Sequence, residues 1–389
     1  MKISEDIKYI GVNDHKVDLF EGQFVVPLGM AYNSYVIKDE KIAVMDTVDG
    51  NFGAEWLANL KREIGDAKVD YLVVHHMEPD HSACIAEFAA AYPEAKIVSQ
   101  LLSFNMMKGF FGTDYADRRV VVKEGDVLDL GKHKLTFVAA PFVHWPEVCV
   151  SYDSTDKVLF SADGFGKFGA NDVEDPEGWD CEARRYYFGI VGKFGDKVSA
   201  LLDKAAGLEI KTICPLHGPV LSTADEIAHV VKQYRTWSSY DVESEGVSIA
   251  YTSVYGHTKL AALKLAECLK AKGCKKVALA DLARDDMYET IEDAFRYGKL
   301  VLATTTYNGA VFPKMEEFVR HLLRRQYQGR KIALIENGAW APMAAKGIKD
   351  LFVGAKDISF YETIVTIRGA LNAESEAKLS ALAEEILRN

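Results

Sequence analysis

Apolar residues fall into two regimes along this chain. From the first residues to about 165 they come in short runs, rich in β-branched and aromatic side chains and broken by turn signals. "FEGQFVVPLG", "NSYVIKDEKIAVMDT", "KLTFVAAPF" and "VCVSYDSTDKVLFSAD" are of this kind, and such runs predict strands. "KIAVMDT" and "KVDYLVVHH" are apolar runs that end in polar residues. That is the pattern of a buried strand whose end feeds a loop carrying chemistry. Two stretches with helical spacing follow, "EARRYYFGIVGKFGDKVSALLDKAAG" and "DEIAHVVKQYRTWSSY". The first region is expected to be a β-sandwich flanked by helices.

The pattern changes near Tyr240–Glu245. Beyond it strand and helix alternate: "GVSIAYT", "TKLAALKLAECLKAKG", "KKVALADL", "MYETIEDAFRYG", "KLVLATTT", "PKMEEFVRHLLRRQ", "KIALIEN", "APMAAKGIKDLFVGA", "DISFYE" and "SEAKLSALAEEILRN". Five strands separated by crossover helices predict a doubly wound parallel sheet. In such a sheet ligands bind beyond the carboxyl ends of the strands.

The polar cluster after "DYLVV" stands out. His76, Glu78, Asp80 and His81 spell H-x-E-x-D-H. On an extended loop, alternate residues 76, 78 and 80 can turn toward one point, and Pro79 restrains Glu78 to extended geometry. Four liganding side chains in six residues exceed what one ion takes from a single loop, so two metals are expected. Further ligands are expected at other strand ends: His144 after "KLTFVAA", Asp163 after "KVLF" and His217 after "IKTIC". That makes four histidines and three carboxylates. Asp163 can bridge two ions, leaving three terminal ligands on each. Each distant residue also has a plain reading, a satisfied structural histidine or a turn aspartate. His75 is either a partner behind the site or points away from it. His15, His133, His229 and His321 read as surface residues.

Composition narrows the function. The 389 residues carry a net charge of −11, the wrong sign for a nucleic-acid footprint or for anionic membranes. No apolar run approaches the ~20 residues of a membrane span, and "MKISEDIKYI" lacks a signal-peptide apolar core, so a cytoplasmic protein is expected. The six cysteines form no C-x-x-C pair, which excludes a zinc-ribbon or rubredoxin-type site built from such pairs.

The loop Thr252–Thr258 combines Thr252, Ser253, Tyr255, Gly256, His257 and Thr258 between a strand and a helix start. Free backbone N–H groups and the helix dipole suit a phosphate there; a plain N-cap is the alternative. Two more strand-end loops carry Asn-Gly and an aromatic: Thr306, Tyr307, Asn308 and Gly309, then Asn337, Gly338, Ala339 and Trp340. Tyr307 and Trp340 can flank a flat isoalloxazine or simply pack. This region resembles flavodoxin, which binds FMN.

The H-x-E-x-D-H run resembles the H-x-H-x-D-H of metallo-β-lactamase-fold zinc hydrolases, with Glu78 in place of the second histidine. With "HWP" at 144–146, "SADGFGKFG" at 161–169 and "LHGP" at 216–219, the whole chain resembles a flavodiiron protein. The added carboxylate suits iron that cycles to the ferric state. The resemblance implies a metallo-β-lactamase-like αββα sandwich over 1–242 and a flavodoxin-like five-stranded domain over 247–389. It implies two irons, one held by His76, Glu78 and His144, the other by Asp80, His81 and His217, with Asp163 bridging. It implies that electrons pass from a donor through FMN to the diiron site, reducing dioxygen to water, nitric oxide to nitrous oxide, or both. It implies a head-to-tail homodimer, or a tetramer built from it. Of Tyr186 and Tyr187 in "ARRYYFGIVG", Tyr187 is expected to donate a hydrogen bond in the diiron pocket; packing is the alternative for both.

The sequence departs from the family pattern in two places. "ENGAWAP" lacks a Gly-Ser-Tyr-Gly-Trp run, and Tyr255 stands where flavodoxins commonly have threonine. No rubredoxin or flavin-reductase module follows in the sequence, so the expected donor is separate, rubredoxin or a reduced deazaflavin. Two other readings compete: a dizinc hydrolase fused to a flavodoxin-like domain, and a non-enzymatic electron carrier.

Overall fold

The computed structural model describes residues 3–388. The chain splits into two compact units, Met1–Arg235 and Thr236–Asn389.

The first unit holds two main sheets. One has six strands in the order Ile7–Tyr9, Tyr35–Ile37, Ala43–Met45, Tyr71–Val73, Lys96–Ser99, Arg119–Val121. The other has five, in the order Val127–Asp129, Lys134–Ala139, Cys149–Asp153, Val158–Phe160, Thr212–Cys214. Alternate residues meet between them: Tyr35, Ile37, Met45, Val73 and Val98 from one sheet, Leu135, Phe137, Val158 and Phe160 from the other. Each fully buried side chain of this kind is worth about 1.5–3 kcal/mol. Helices cover the outer faces, giving the expected αββα sandwich. Gly53–Ile64 buries Trp56, Leu60 and Ile64, and Gly195–Ala205 buries Val198 and Leu202.

Strand direction explains where chemistry can sit. Ala43–Met45 and Tyr71–Val73 are parallel, and so are Val158–Phe160 and Thr212–Cys214. Cys149–Asp153 is antiparallel to its neighbours on both sides. Asp46, His75–His81, the 140–148 connection, Asp163 and His217 therefore all emerge at one edge of the sandwich.

His75 points into the sandwich, away from that edge. Its Nδ1 lies 2.5 Å from Asp46 Oδ2 and its Nε2 lies 2.8 Å from Ser151 Oγ. It is a buried polar tie between the two sheets. His133 corrects the surface reading. It is fully buried, with Asp153 at 3.0 Å and Asp6 at 3.2 Å. The long helix expected over 182–207 is broken: Asp180–Tyr186 is α-helical, Tyr187–Val191 a π-turn, Gly192–Phe194 a 3₁₀ turn, and Gly195–Ala205 α-helical again. Gly189, Gly192 and Gly195 each weaken the helix by about 1 kcal/mol relative to Ala.

The second unit is a parallel sheet in the order Val277–Asp281, Ser244–Tyr251, Tyr297–Tyr307, Arg330–Asn337, Ile358–Ile367. That is the 2-1-3-4-5 order of flavodoxin. Five helices connect and follow the strands, as the sequence pattern predicts. One feature was not predicted: Tyr297–Tyr307 runs on and pairs antiparallel with Ala310–Val311. Asn308 and Gly309 take φ of 49° and 73°, the Asn-Gly preference of a tight hairpin turn.

Candidate metal and flavin sites

The structure brings all seven proposed metal ligands to one edge of the sandwich. The side chains of His76, Glu78, His144 and Asp163 converge as one group, and those of Asp80, His81 and His217 as another. Asp163 faces both. Its Oδ2 lies 3.4 Å from His76 Nε2 and 3.1 Å from His144 Nε2. Its Oδ1 lies 3.2 Å from His81 Nε2 and 3.9 Å from His217 Nε2. Glu78 Oε2 is 2.9 Å from His144 Nε2 and 3.2 Å from His76 Nε2. Asp80 Oδ2 is 3.1 Å from His217 Nε2, and the Nε2 atoms of His81 and His217 are 3.0 Å apart.

Local backbone explains the division. Glu78 is extended, with φ −60° and ψ 138°, but Pro79 opens a short helical turn, Pro79–Ser82, as proline at the first helical position does. The extended geometry expected to carry on to residue 80 stops there. The turn rotates successive residues by about 100°, so Asp80 and His81 face the second group while His76 and Glu78 face the first. Ala162 and Phe165, non-glycine residues on either side of Asp163, take φ of 50° and 67°. Such strain gathers where a site over-determines its backbone.

The electrostatics suit cations. Both oxygens of Asp80 and of Asp163 are buried without a properly directed hydrogen bond, although imidazole nitrogens lie close by. The candidate ligand atoms within each group all lie within 4.8 Å of one another. Burial works against charge on His76, but Asp163, Glu147 and Glu78 raise its pKa well above the usual histidine value. His144 is likewise raised to about 9 by Asp163 and Glu78 against the effect of burial. The same imidazoles hold the Asp163 carboxyl well below the ordinary range despite its burial. Metal ions would displace these protons and use the same field. Three imidazole–carboxylate ligands on each side of a bridging carboxylate suit iron.

The second unit carries a pocket of about 460 Å³ at the carboxyl ends of its strands. Of the proposed flavin residues, Ser253, Tyr255, His257, Thr258, Thr306, Tyr307, Asn308, Gly309, Asn337, Gly338, Ala339 and Trp340 line it. Thr252 does not; it is fully buried, and its hydroxyl pairs with Thr304 Oγ1 at 2.6 Å. Gly256 caps the helix His257–Ala271 with φ 90° and does not line the pocket. Tyr255 and Trp340 are 91% and 89% exposed, so packing does not account for them.

The comparisons agree with this geometry. The family described as ODP family beta lactamase matches residues 30–218. The anaerobic nitric oxide reductase flavorubredoxins of Salmonella arizonae and Escherichia coli are 29% identical over 349 residues, 87% of this chain and 72% of theirs. The rubredoxin:oxygen oxidoreductase of Desulfovibrio gigas superposes with a TM-score of 0.92 at 26% identity, over 100% of this chain and 98% of that one. In sequence and fold this chain is similar to flavodiiron proteins. The flavodiiron protein of Giardia intestinalis, at 24% identity, shares the fold with a TM-score of 0.91, over 100% of this chain and 96% of that one. These similarities, to a nitric oxide reductase and an oxygen oxidoreductase, set aside the hydrolase alternative.

Three features of the metal site escaped the sequence pattern. Glu147 is fully buried, and its Oε1 accepts from His76 Nδ1 and from the Met77 N–H, both at 2.9 Å. It fixes the ring so that Nε2 faces the site. The Ala31 carbonyl does the same for His217 Nδ1 at 2.7 Å. The residues lie far apart in sequence, so no local motif links them. The third feature is the placement of the two tyrosines, both of them buried. Tyr187 packs edge-on against Tyr234 at 5.1 Å, whereas the Tyr186 ring lies 5.5 Å from His217. Burial, then Asp163, Asp80 and Glu78, push the Tyr186 phenol well above its usual pKa, so it keeps its proton beside the site. In the flavin pocket Val254, Thr305, Ala341 and Gly369 were also missed. Gly369 comes from a fourth loop, tied down by Asn337 hydrogen bonds of 2.9 and 3.1 Å.

Proposed function

We propose that this chain is an oxidoreductase that takes electrons from a separate donor through FMN and reduces nitric oxide to nitrous oxide, dioxygen to water, or both. The observation that carries the reading is Asp163, whose two oxygens each face a separate set of three ligands. His76, Glu78 and His144 would hold one iron, Asp80, His81 and His217 the other, and Asp163 would bridge them. When bound, the iron pair supplies electrons to the gas and FMN replenishes them.

The protein's own part is positional and protic. Glu147 and the Ala31 carbonyl aim two of the imidazoles. Seven ligands at 15% side-chain exposure or less keep bulk water from the centre. Tyr186 offers a phenol proton to the reacting gas. The pocket between loops 253–258, 305–309, 337–341 and Gly369 would seat FMN, with Tyr307 and Trp340 flanking the ring and the start of helix His257–Ala271 facing the phosphate.

The division into 1–242 and 247–389 follows this split of labour. A head-to-tail homodimer, or a tetramer of such pairs, and rubredoxin or a reduced deazaflavin as donor complete the proposal. The relatives named for rubredoxin support that donor. Among the described residues no helix is long and apolar enough to cross a membrane, which is compatible with the proposed cytoplasmic location.

The test is anaerobic consumption of each gas by iron-loaded, FMN-bound protein with reduced rubredoxin, alongside metal analysis. About two irons per chain and turnover of at least one gas are expected. Tightly bound zinc with no gas turnover would defeat the proposal.

A further inference from the structure

A second cavity lies in the first unit, away from the donor atoms of the metal site. It occupies about 250 Å³ between the outer face of the five-stranded sheet and two helices, Gly195–Ala205 and Ala224–Ser238. Val150, Leu159 and Ile213 from the sheet and Val198, Leu202 and Val231 from the helices form its walls. Two cations stand at its lining, and both are already neutralised. Lys204 Nζ lies 3.2 Å from Glu124 and Arg235 Nη1 2.6 Å from Asp203. Its hydroxyls are also engaged. Ser161 Oγ donates to the Gly164 carbonyl at 2.7 Å, and Tyr234 Oη accepts from the Phe165 N–H at 2.7 Å.

Such a space offers water few partners. An engineered apolar cavity of roughly 150 Å³ stays dry and takes up benzene or xenon. Ser161, Gly164 and Phe165 also line this cavity, and they flank Asp163 in the same turn. Phe165 and Tyr234, with ring centroids 4.5 Å apart, are also part of its lining.

We propose that this cavity is a holding site for a small, neutral, apolar ligand, and that the ligand is the diatomic gas the enzyme reduces. Gas partitions from water into the apolar space one backbone turn from the bridging carboxylate, which raises its concentration beside the reacting centre. The identity of the ligand rests on the reaction proposed above; the apolar character of the site does not.

The experiment pressurises crystals of the holoprotein with xenon and measures gas kinetics on cavity-filling variants. Xenon is expected in the wild-type cavity and absent from Val198→Phe. That variant, and Val231→Phe as an independent filling from the other helix, should raise KM for the gas severalfold with kcat, iron and FMN content held. Val231→Phe guards against Val198→Phe failing to fold. Absence of xenon from the wild-type cavity overturns the proposal. So does an unchanged KM in folded variants that have lost the xenon site. Xenon in the cavity of a protein that consumes neither gas would keep the apolar ligand site and remove the gas as its occupant, along with the reaction.

Discussion

Asp163 and Glu147 divide the work of the metal site between binding and aiming. Asp163→Ala removes the one side chain common to both ligand sets. It is expected to lose one or both irons by metal analysis while FMN stays bound; normal iron with full turnover would refute the assignment. Glu147→Gln keeps shape but loses the charge that holds His76 Nδ1–H, and such partners are typically worth 10–100-fold in metal affinity. A competition titration with a chelator should show a loss of that order. His133 carries a different prediction. Asp153 and Asp6 raise its pKa to about 9 against the effect of burial, from an unfolded value of about 6.5. A raised pKa stabilises the fold fully below about pH 6.5, and the contribution disappears as pH rises through about 9. His133→Gln should therefore lower Tm more at about pH 6 than at about pH 10. Equal losses at both would show that the ion pair is not the cause.

Elements were most legible where periodicity and packing agreed. The flavodoxin-like strands and helices follow their hydrophobic pattern because the central strands are buried on both faces and each helix on one. The 182–207 segment departed because its helical spacing is cut by three glycines and by what packs on them. A Cβ at Gly189 would sit 2.6 Å from the Phe24 ring. Gly189→Ala should cost about 1–3 kcal/mol of stability by overpacking, read as a lower denaturation midpoint. The flavin loops make a prediction of their own. Trp340 is almost wholly exposed, so its removal should leave the fold alone. If it stacks on the flavin, Trp340→Ala loses about 0.5–1.5 kcal/mol, a rise in FMN Kd of roughly two- to tenfold. An unchanged Kd would return Trp340 to the solvent.

At the scale of the whole molecule the two compact units carry separable chemistries, one for metal and one for flavin. Chelating the metal should therefore leave secondary structure and flavin reduction by the donor intact. It should abolish reoxidation of the flavin on anaerobic addition of nitric oxide. Stopped-flow absorbance of the flavin reports both steps. Flavin that reoxidised at the native rate without iron would show that electrons reach the gas by another route.

The sequence by itself determined the chemistry of the ligands and the order of the elements. H-x-E-x-D-H, the strand-end histidines and the Asn-Gly loops are local facts, and strand and helix periods are local too. Tertiary structure decided which residues meet. His76 depends on Glu147, His217 on the Ala31 carbonyl, and His75 ties Asp46 to Ser151 across two sheets; none of these partners lies within 25 residues of its histidine. Likewise, only a short turn at Pro79 sends Glu78 and Asp80 to different ligand groups. Sheet direction brings distant strand ends to one edge, and hydrogen bonds across that edge are set by packing, which leaves no mark in the neighbouring letters of the chain.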